Sequence, residues 1–146
     1  MATIAEVNNR IQALNLRAEV PKIIKETSDA IADQQAEQMI NGQRSDNKEI
    51  NPQYSPLTIE IKKSKGQVTD RVTLRDTGSF QNKIAVYVKE DRFDITSTDE
   101  KTGQLEKKYG RQIFGLNKQH LEEYGRESFQ PALKKYIEQT TGLTMK

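Results

Sequence analysis

The sequence contains one histidine, His120, and no cysteine. Imidazole and thiolate groups supply many of the general bases, nucleophiles and transition-metal ligands of proteins. His120 falls in the first turn of a predicted helix among polar residues, and the sequence has no Gly-x-Ser-x-Gly turn whose serine it could activate. We therefore interpret His120 as a solvent-exposed side chain and not as a catalytic base.

Acidic residues occur in groups that could bind a cation. Asp99-Glu100 and Glu122-Glu123 lie near predicted helix starts, where the helix dipole favours negative charge without a metal. The loop over 41–53 lacks the alternate-position oxygens and the central glycine of a calcium-binding EF-hand. We interpret these residues as solvated surface, so the sequence predicts no metal and no cofactor.

Carboxylates could also act as a catalytic pair. Asp76-Thr77-Gly78 matches the tripeptide of aspartic proteases, but those enzymes need two copies in a β-rich fold and this chain has one copy among predicted helices. A hydrolase built on two remote carboxylates stays open. Nothing in the sequence selects such a pair, however, and the Gly-rich phosphate-binding motifs are missing. The sequence therefore predicts a protein that is not an enzyme.

The densest basic cluster consists of Lys62, Lys63 and Lys65. We interpret it as a solvated face, with a phosphate contact as the alternative. The whole chain has 23 basic and 21 acidic residues, a net charge of +2, and the two signs are interspersed. Since a dedicated nucleic-acid binder gathers its basic residues into a patch or stripe, this composition favours another function.

Length and composition suit one domain, which we place at 1–146. Hydrophobic residues make up 34% of the chain and charged residues 30%, so the core is lean and part of the apolar surface is available to a partner. The first residues lack a charged segment followed by an apolar run, and no apolar stretch approaches membrane-spanning length. We expect no membrane contact.

Two N-terminal helices are predicted from capping signals and apolar periodicity. Thr3 begins a capping box, which predicts a helix over 4–15. Pro21 suits a first helical position, which predicts a second helix over 21–41. Polar residues that we expect on the surface of the second helix include Gln34, Gln35 and Gln38.

The middle of the chain predicts a helix followed by a small antiparallel sheet. Ser55 and Pro56 provide an N-cap and a first residue for a helix over 56–64, although the apolar residues there also alternate as in a strand. Alternation predicts a strand over 68–75 and a hairpin over 83–97. Between them a capped turn directs Phe80 to the core.

The C-terminal third predicts two more helices. Asp99 begins the first of them, and Gly110 ends it. The last helix covers 118–139 and keeps its apolar stripe in phase across Pro131, which predicts one kinked helix. Residues 140–146 are predicted to be a loose tail. The predicted fold is α+β, with the small sheet packed by the N-terminal helices and the kinked C-terminal helix.

Three segments resemble, in their order and spacing, the virion morphogenesis or tail-completion proteins of long-tailed bacteriophages. In that family an aromatic residue precedes Ser-Pro-x-Thr, and a basic stretch and Leu-x-x-Thr-Gly-x-Leu follow, where this chain has Leu74-Arg-Asp-Thr-Gly-Ser-Phe80. A helix later ends near a glycine before a short apolar segment. The matching residues here are Tyr54, Ser55, Pro56, Thr58, Leu74, Asp76, Thr77, Gly78, Tyr109, Gly110 and Phe114.

This resemblance implies a structural subunit that multimerises, as a ring, and closes the end of a tail or joins it to the head. Its partners would be further copies of the chain, other neck, connector or tail proteins, and genomic DNA in a lumen. Lys62, Lys63 and Lys65 are the candidates for contact with DNA or a partner, and the hairpin over 83–97 for subunit pairing. The expected location is the virion, and the host cytoplasm during assembly.

One alternative belongs to another class of function. A small phage-encoded protein that binds nucleic acid or a host factor could use the basic region over 62–71. Its binding to DNA would weaken steeply as salt rises, because binding releases counterions from the phosphates. A ring subunit is expected to bind DNA poorly as a free monomer.

Overall fold

The computed structural model describes residues 3–144 of the chain, and it has the predicted α+β fold. Its elements in chain order are α1 (Ile4–Gln12), α2 (Leu16–Glu26), α3 (Ser28–Ile40), α4 (Pro56–Ser64), α5 (Ser79–Asn82), β1 (Ile84–Val88), β2 (Phe93–Ser97), α6 (Thr102–Tyr109), a 3-10 turn (Arg111–Ile113), α7 (Lys118–Tyr124), a π-helical turn (Gly125–Phe129) and α8 (Gln130–Thr141). Within this part of the chain no helix has the length and apolarity needed to cross a membrane.

Side-chain caps begin several helices where the sequence predicts them. Thr3 and Glu6 form a complete capping box, with both hydrogen bonds 3.1 Å long. Ser55 Oγ accepts the N–H of Thr58 at the start of α4, and Asn117 Oδ1 accepts a backbone N–H at the start of α7. Each cap satisfies a backbone donor that has no partner within its helix.

The helix predicted over 21–41 is two helices, and its start is wrong. Asn15 caps α2, so the chain turns after α1 and is already helical at Leu16. Pro21 is tolerated inside α2 because the carbonyl that loses its donor belongs to the exposed Arg17. The helix breaks at Thr27, whose hydroxyl donates to the carbonyl of Ile23 and meets the Tyr124 hydroxyl at 2.7 Å.

The predicted hairpin forms as an antiparallel pair. Val86 faces Ile95 at the centre of the ladder, and Ile84 and Val88 face Ser97 and Phe93 at its ends. The only sheet within residues 3–144 consists of these two strands. Because the strands share a turn of four residues, their pairing depends on local contacts that a sequence pattern can reveal.

The strand predicted over 68–75 does not form. Its backbone groups bind side chains instead of a neighbouring strand: Thr73 N–H donates to the Tyr54 hydroxyl at 2.9 Å, and the Gln81 amide donates to the carbonyls of Thr73 and Leu74. Leu74 also has a φ of 56°, which lies in the left-handed region and cannot continue a strand.

The C-terminal helix is kinked, as predicted, with a bend of 38°. The bend coincides with the π-helical turn over Gly125–Phe129, which passes directly into Pro131 at the start of α8. Proline cannot donate to the preceding turn, so the hydrogen-bond pattern widens there.

The tail predicted over 140–146 begins too early. Helix α8 continues through Thr141, which is buried and whose hydroxyl donates to the carbonyl of Ile137 at 2.7 Å. Gly142 then ends the helix in the left-handed conformation, with a φ of 73°. Residues 145–146 of the predicted tail lie outside the described residues.

Two adjoining groups of apolar side chains form the core. The larger surrounds Phe80 and includes Met39, Ile50, Val72, Leu74, Tyr109 and Ile113. The smaller consists of Ile31, Ile95 and Tyr124, with partly buried neighbours on α2 and the hairpin. Phe114 packs against both groups, so the connection between α6 and α7 lies at their junction.

The expectation that Gln35 and Gln38 lie on the surface is wrong, because both are fully buried. The Gln35 amide donates to the carbonyl of Ile113 and accepts the N–H of Gly115. The Gln38 amide donates to the carbonyl of Gly115 and accepts the N–H of Asn117. The two side chains thus bind the backbone of residues 113–117 as a neighbouring strand would. Because their amide groups are hydrogen-bonded, a polar side chain can be buried at both positions.

Candidate functional site

The resemblance segments converge around α4, and α4 turns one of its lysines, Lys62, inward. Lys62 is only 9% exposed. Its Nζ donates to the carbonyl of Arg75 at 2.8 Å and to Gln67 Oε1 at 3.3 Å, and it lies 4.8 Å from the centre of the Tyr54 ring. The ammonium group of Lys62 is therefore bound by groups of the same chain.

Lys65 and Gln67 continue this attachment of α4 to the chain before α5. Lys65 Nζ and Gln67 Nε2 donate to the Asp76 carboxylate at 3.0 and 3.1 Å, and Gln67 also donates to the Asp76 carbonyl at 2.9 Å. These hydrogen bonds, first from Gln67 and then from Lys65, hold the pKa of the Asp76 carboxyl below its ordinary value. Of the three predicted contact lysines, Lys63 is the one whose side chain forms no hydrogen bond or ion pair within residues 3–144.

Two apolar side chains of α4 face solvent. Leu57 is 67% exposed and Ile61 is 47% exposed. Their spacing of four residues puts them on one helix face. Val68, just beyond the helix, is exposed as well. We call Leu57 and Ile61 the α4 apolar face.

Residues of the resemblance line one pocket of about 170 Å³ behind α4. Its walls are residues 74–80 together with Tyr54, Lys62, Lys101, Leu105 and Tyr109. The sequence separates these residues by up to 55 positions, yet they meet around Phe80. The pocket has an apolar floor, and Lys62 and Asp76 at its rim are both occupied by internal hydrogen bonds.

The remaining motif residues shape the backbone around this pocket. Pro56 is the first residue of α4, and the Thr58 hydroxyl meets Ser55 Oγ at 2.9 Å. Thr77 Oγ1 accepts the N–H of Ser79 at the start of α5, and Gly78 supplies a φ of 89° there. Gly110 likewise has a φ of 90°. The third segment contacts the second through Phe114, which stacks on Phe80 with ring centres 5.7 Å apart. The motif therefore orders a backbone and does not assemble reactive groups at its residues.

A second surface feature lies beside the hairpin. A groove of about 690 Å³ follows β2, with Phe93–Thr96 on one side and Phe114–Leu116 on the other. Its rim carries the cations Lys89, Arg92 and Arg111 together with the acids Asp94 and Glu106. Each strand of a two-stranded sheet has one edge without a strand neighbour, and such an edge can pair with another chain.

Sequence reasoning missed the orientation of α4. Leu57 and Ile61 are recognisable as one apolar face, but a sequence pattern places such a face toward the core by default. Only the partners of Lys62, up to 13 residues away, reveal that this lysine is the residue of α4 that is turned inward. A separate group that could bind a metal ion lies between α3 and α7 and consists of Glu37, His120 and Glu123.

Comparison of the chain with protein-family models, with curated proteins and with solved structures finds no match.

Proposed function

We propose that the protein is a non-enzymatic structural subunit of a long-tailed bacteriophage virion, a tail-completion or head–tail connector protein of the neck that assembles as a ring. It acts in the virion and is made in the host cytoplasm. The observation that carries the proposal is the packing of α4, which buries Lys62 and exposes Leu57 and Ile61. A folded chain gains little from holding an apolar face in water, whereas a subunit gains by burying it against its neighbour.

The segment of the resemblance that starts α4 supports a contact at this helix. The Ser-Pro-x-Thr segment starts α4, and Lys62, Lys65 and Gln67 fix its polar side to the chain before α5. The apolar face is thereby held outward in a defined orientation. A rigid, outward apolar face suits a repeated contact between identical subunits, because each copy presents it identically.

The open edge of β2 offers a second surface for pairing. The groove beside it has a volume of about 690 Å³ and is lined by side chains of both charge signs. In a ring each subunit needs two different surfaces, one for each neighbour. We assign the α4 apolar face to one contact and the hairpin edge to the other. Lys63, exposed on α4, and Lys65 remain the candidates for contact with DNA in the lumen.

The proposal is tested in the phage or prophage whose genome carries the gene. Deletion of the gene should give heads and tails that do not join, or tails with an unfinished end, when particles are viewed by negative-stain electron microscopy. Expression of the chain in trans should restore joined particles. The double variant Leu57→Lys/Ile61→Lys should fail to restore them, whereas Leu143→Lys, which makes the same change at another exposed apolar position, should succeed.

Two results would contradict the proposal. One is a normal yield of joined, infectious particles after deletion of the gene. The other is tight binding of duplex DNA by the purified monomer with a steep dependence on salt, which the nucleic-acid-binding alternative predicts. Because Lys62 is engaged inside the fold and Lys65 pairs with Asp76, we expect weak DNA binding by the free chain.

A further inference from the structure

His120 is not exposed, contrary to the sequence-based interpretation. It is 1% exposed and lies in the first turn of α7, packed against α3. Its Nδ1 is 2.6 Å from Gln34 Oε1. An amide oxygen can only accept a hydrogen bond, so Nδ1 carries the proton and donates it. In the neutral ring the lone pair then lies on Nε2.

Nε2 of His120 is buried and has no hydrogen-bond partner within residues 3–144. A buried polar atom without a partner is uncommon because its desolvation is not compensated. The free lone pair of an imidazole whose other nitrogen donates to a fixed oxygen is the arrangement found in metal-binding histidines. The orphaned atom therefore points to a ligand at this position.

Two carboxylates accompany the ring. One nitrogen of His120 and one oxygen each from Glu37 and Glu123 lie within 4.8 Å of one another. Glu37 projects from α3 and is exposed, while Glu123 follows His120 by one turn on α7 and is half-buried. The three residues come from two helices that pack directly on each other, so an ion held by them would join α3 to α7.

We propose that His120 Nε2, Glu37 and Glu123 form a binding site for one divalent transition-metal ion of the zinc type. Imidazole and carboxylate together suit Zn²⁺ better than Ca²⁺ or Mg²⁺, which prefer oxygen ligands throughout. Tetrahedral zinc with ligand distances of about 2.0–2.2 Å needs its ligand atoms at separations of about 3.4 Å. A carboxylate movement of about an ångström, which the exposed Glu37 and half-buried Glu123 permit, brings the three atoms to that spacing.

The other contacts of His120 prepare the site. Gln34 fixes the orientation of the ring, and the Asn117 cap fixes the backbone from which it projects, since Asn117 Oδ1 accepts the His120 N–H at 3.0 Å. Three protein ligands leave a fourth coordination position of tetrahedral zinc open. Water, or a side chain of another subunit, can occupy that position.

Direct binding tests the proposal on metal-free protein prepared without a histidine tag. Titration calorimetry with ZnCl₂ should give one ion per chain. Nuclear magnetic resonance of the imidazole nitrogens reports a single residue because the chain has only one histidine. The Nε2 resonance should shift on addition of Zn²⁺ while Nδ1 keeps its proton. The absence of stoichiometric binding, or a Zn²⁺-induced loss of the Nδ1 proton with Nε2 unaffected, would overturn the proposal.

Variants at the carboxylates keep the test decisive even if a His120 variant fails to fold. Glu37→Gln and Glu123→Gln should each weaken Zn²⁺ binding by about tenfold or more, and Gln34→Ala should weaken it by about tenfold through loss of ring orientation. Glu122→Gln, one residue from Glu123 and exposed, is the matched control and should bind as the unaltered chain does. Equal affinities for Glu37→Gln, Glu123→Gln and Glu122→Gln would rule out the site.

Discussion

Helices α3 and α4 both bury polar side chains, but they differ in what they leave exposed. On α3, Gln35 and Gln38 are buried and every polar atom of their amides binds the backbone of residues 113–117. On α4, Lys62 is buried with similar internal partners, yet Leu57 and Ile61 of the same helix remain in water.

The difference separates buried polar groups, which find their hydrogen-bond partners within the chain, from an exposed apolar surface, which only a partner can cover. Buried glutamines are explained within the fold, since a fully hydrogen-bonded amide is stable in the interior. An exposed apolar face next to a firmly anchored polar side has no such internal explanation. The comparison therefore predicts large stability effects on the buried sides of both helices, and an effect on association, not on folding, at the α4 apolar face.

The largest loss of stability is expected at α3. Gln38→Leu removes a donor to the Gly115 carbonyl and an acceptor for the Asn117 N–H, and leaves both backbone groups without these partners. We expect the free energy of unfolding to fall by about 3 kcal/mol, measured by urea denaturation. Gln104→Leu, at an exposed position on α6, is the control and should change it by no more than about 0.5 kcal/mol. Equal values for the two variants would contradict the role of the buried amides.

A smaller loss is expected on the buried side of α4. Lys62→Met keeps the aliphatic stem but removes the hydrogen bond to Arg75 and the contact of the charge with Tyr54. The free energy of unfolding should fall by about 2 kcal/mol, because a hydrogen bond from a charged donor is lost at a largely buried position. Lys63→Met, at the exposed neighbouring position, should be close to neutral. A larger loss of stability for Lys63→Met than for Lys62→Met would mean that α4 turns Lys63, and not Lys62, toward the interior.

The smallest effect concerns the acid dependence of stability. Because the pKa of Asp76 is lower in the fold than in the unfolded chain, its charged form stabilises the fold above the unfolded pKa of about 4. This contribution is lost as the pH falls through the folded-state pKa. Asp76→Asn should therefore be less stable than the unaltered chain near neutral pH, with the difference shrinking in acid. Asp91→Asn, in the exposed hairpin turn, should leave the pH profile of thermal unfolding unchanged.

Sequence patterns predict those parts of the fold that depend on near neighbours. The Thr3 capping box, the Asn117 cap, the hairpin and the bend at Pro131 all arise from contacts within a few residues, and all are present. The strand over 68–75 fails because its backbone binds remote side chains, Tyr54 and Gln81.

The candidate sites depend on contacts that no local pattern contains. His120 meets Gln34 across 86 positions, and Asn117 meets Gln38 across 79. Polar residue types at these positions predict exposure, since nothing in the sequence indicates that a partner will saturate them. The sequence places Lys62 in a solvated cluster for the same reason, because a lysine is expected to be exposed. The separation in sequence, and not the type of residue, limits what can be predicted here.

The central claim is that the α4 apolar face binds another copy of the chain, and light scattering after size exclusion tests it directly over a series of concentrations. The measured mass of the unaltered chain should rise above 16.7 kDa toward a ring as concentration increases. Leu57→Lys/Ile61→Lys should stay at 16.7 kDa throughout, while Leu143→Lys should assemble normally. The account would be contradicted if the unaltered chain stayed monomeric at every concentration. It would also be contradicted if the double variant assembled as well as the unaltered chain.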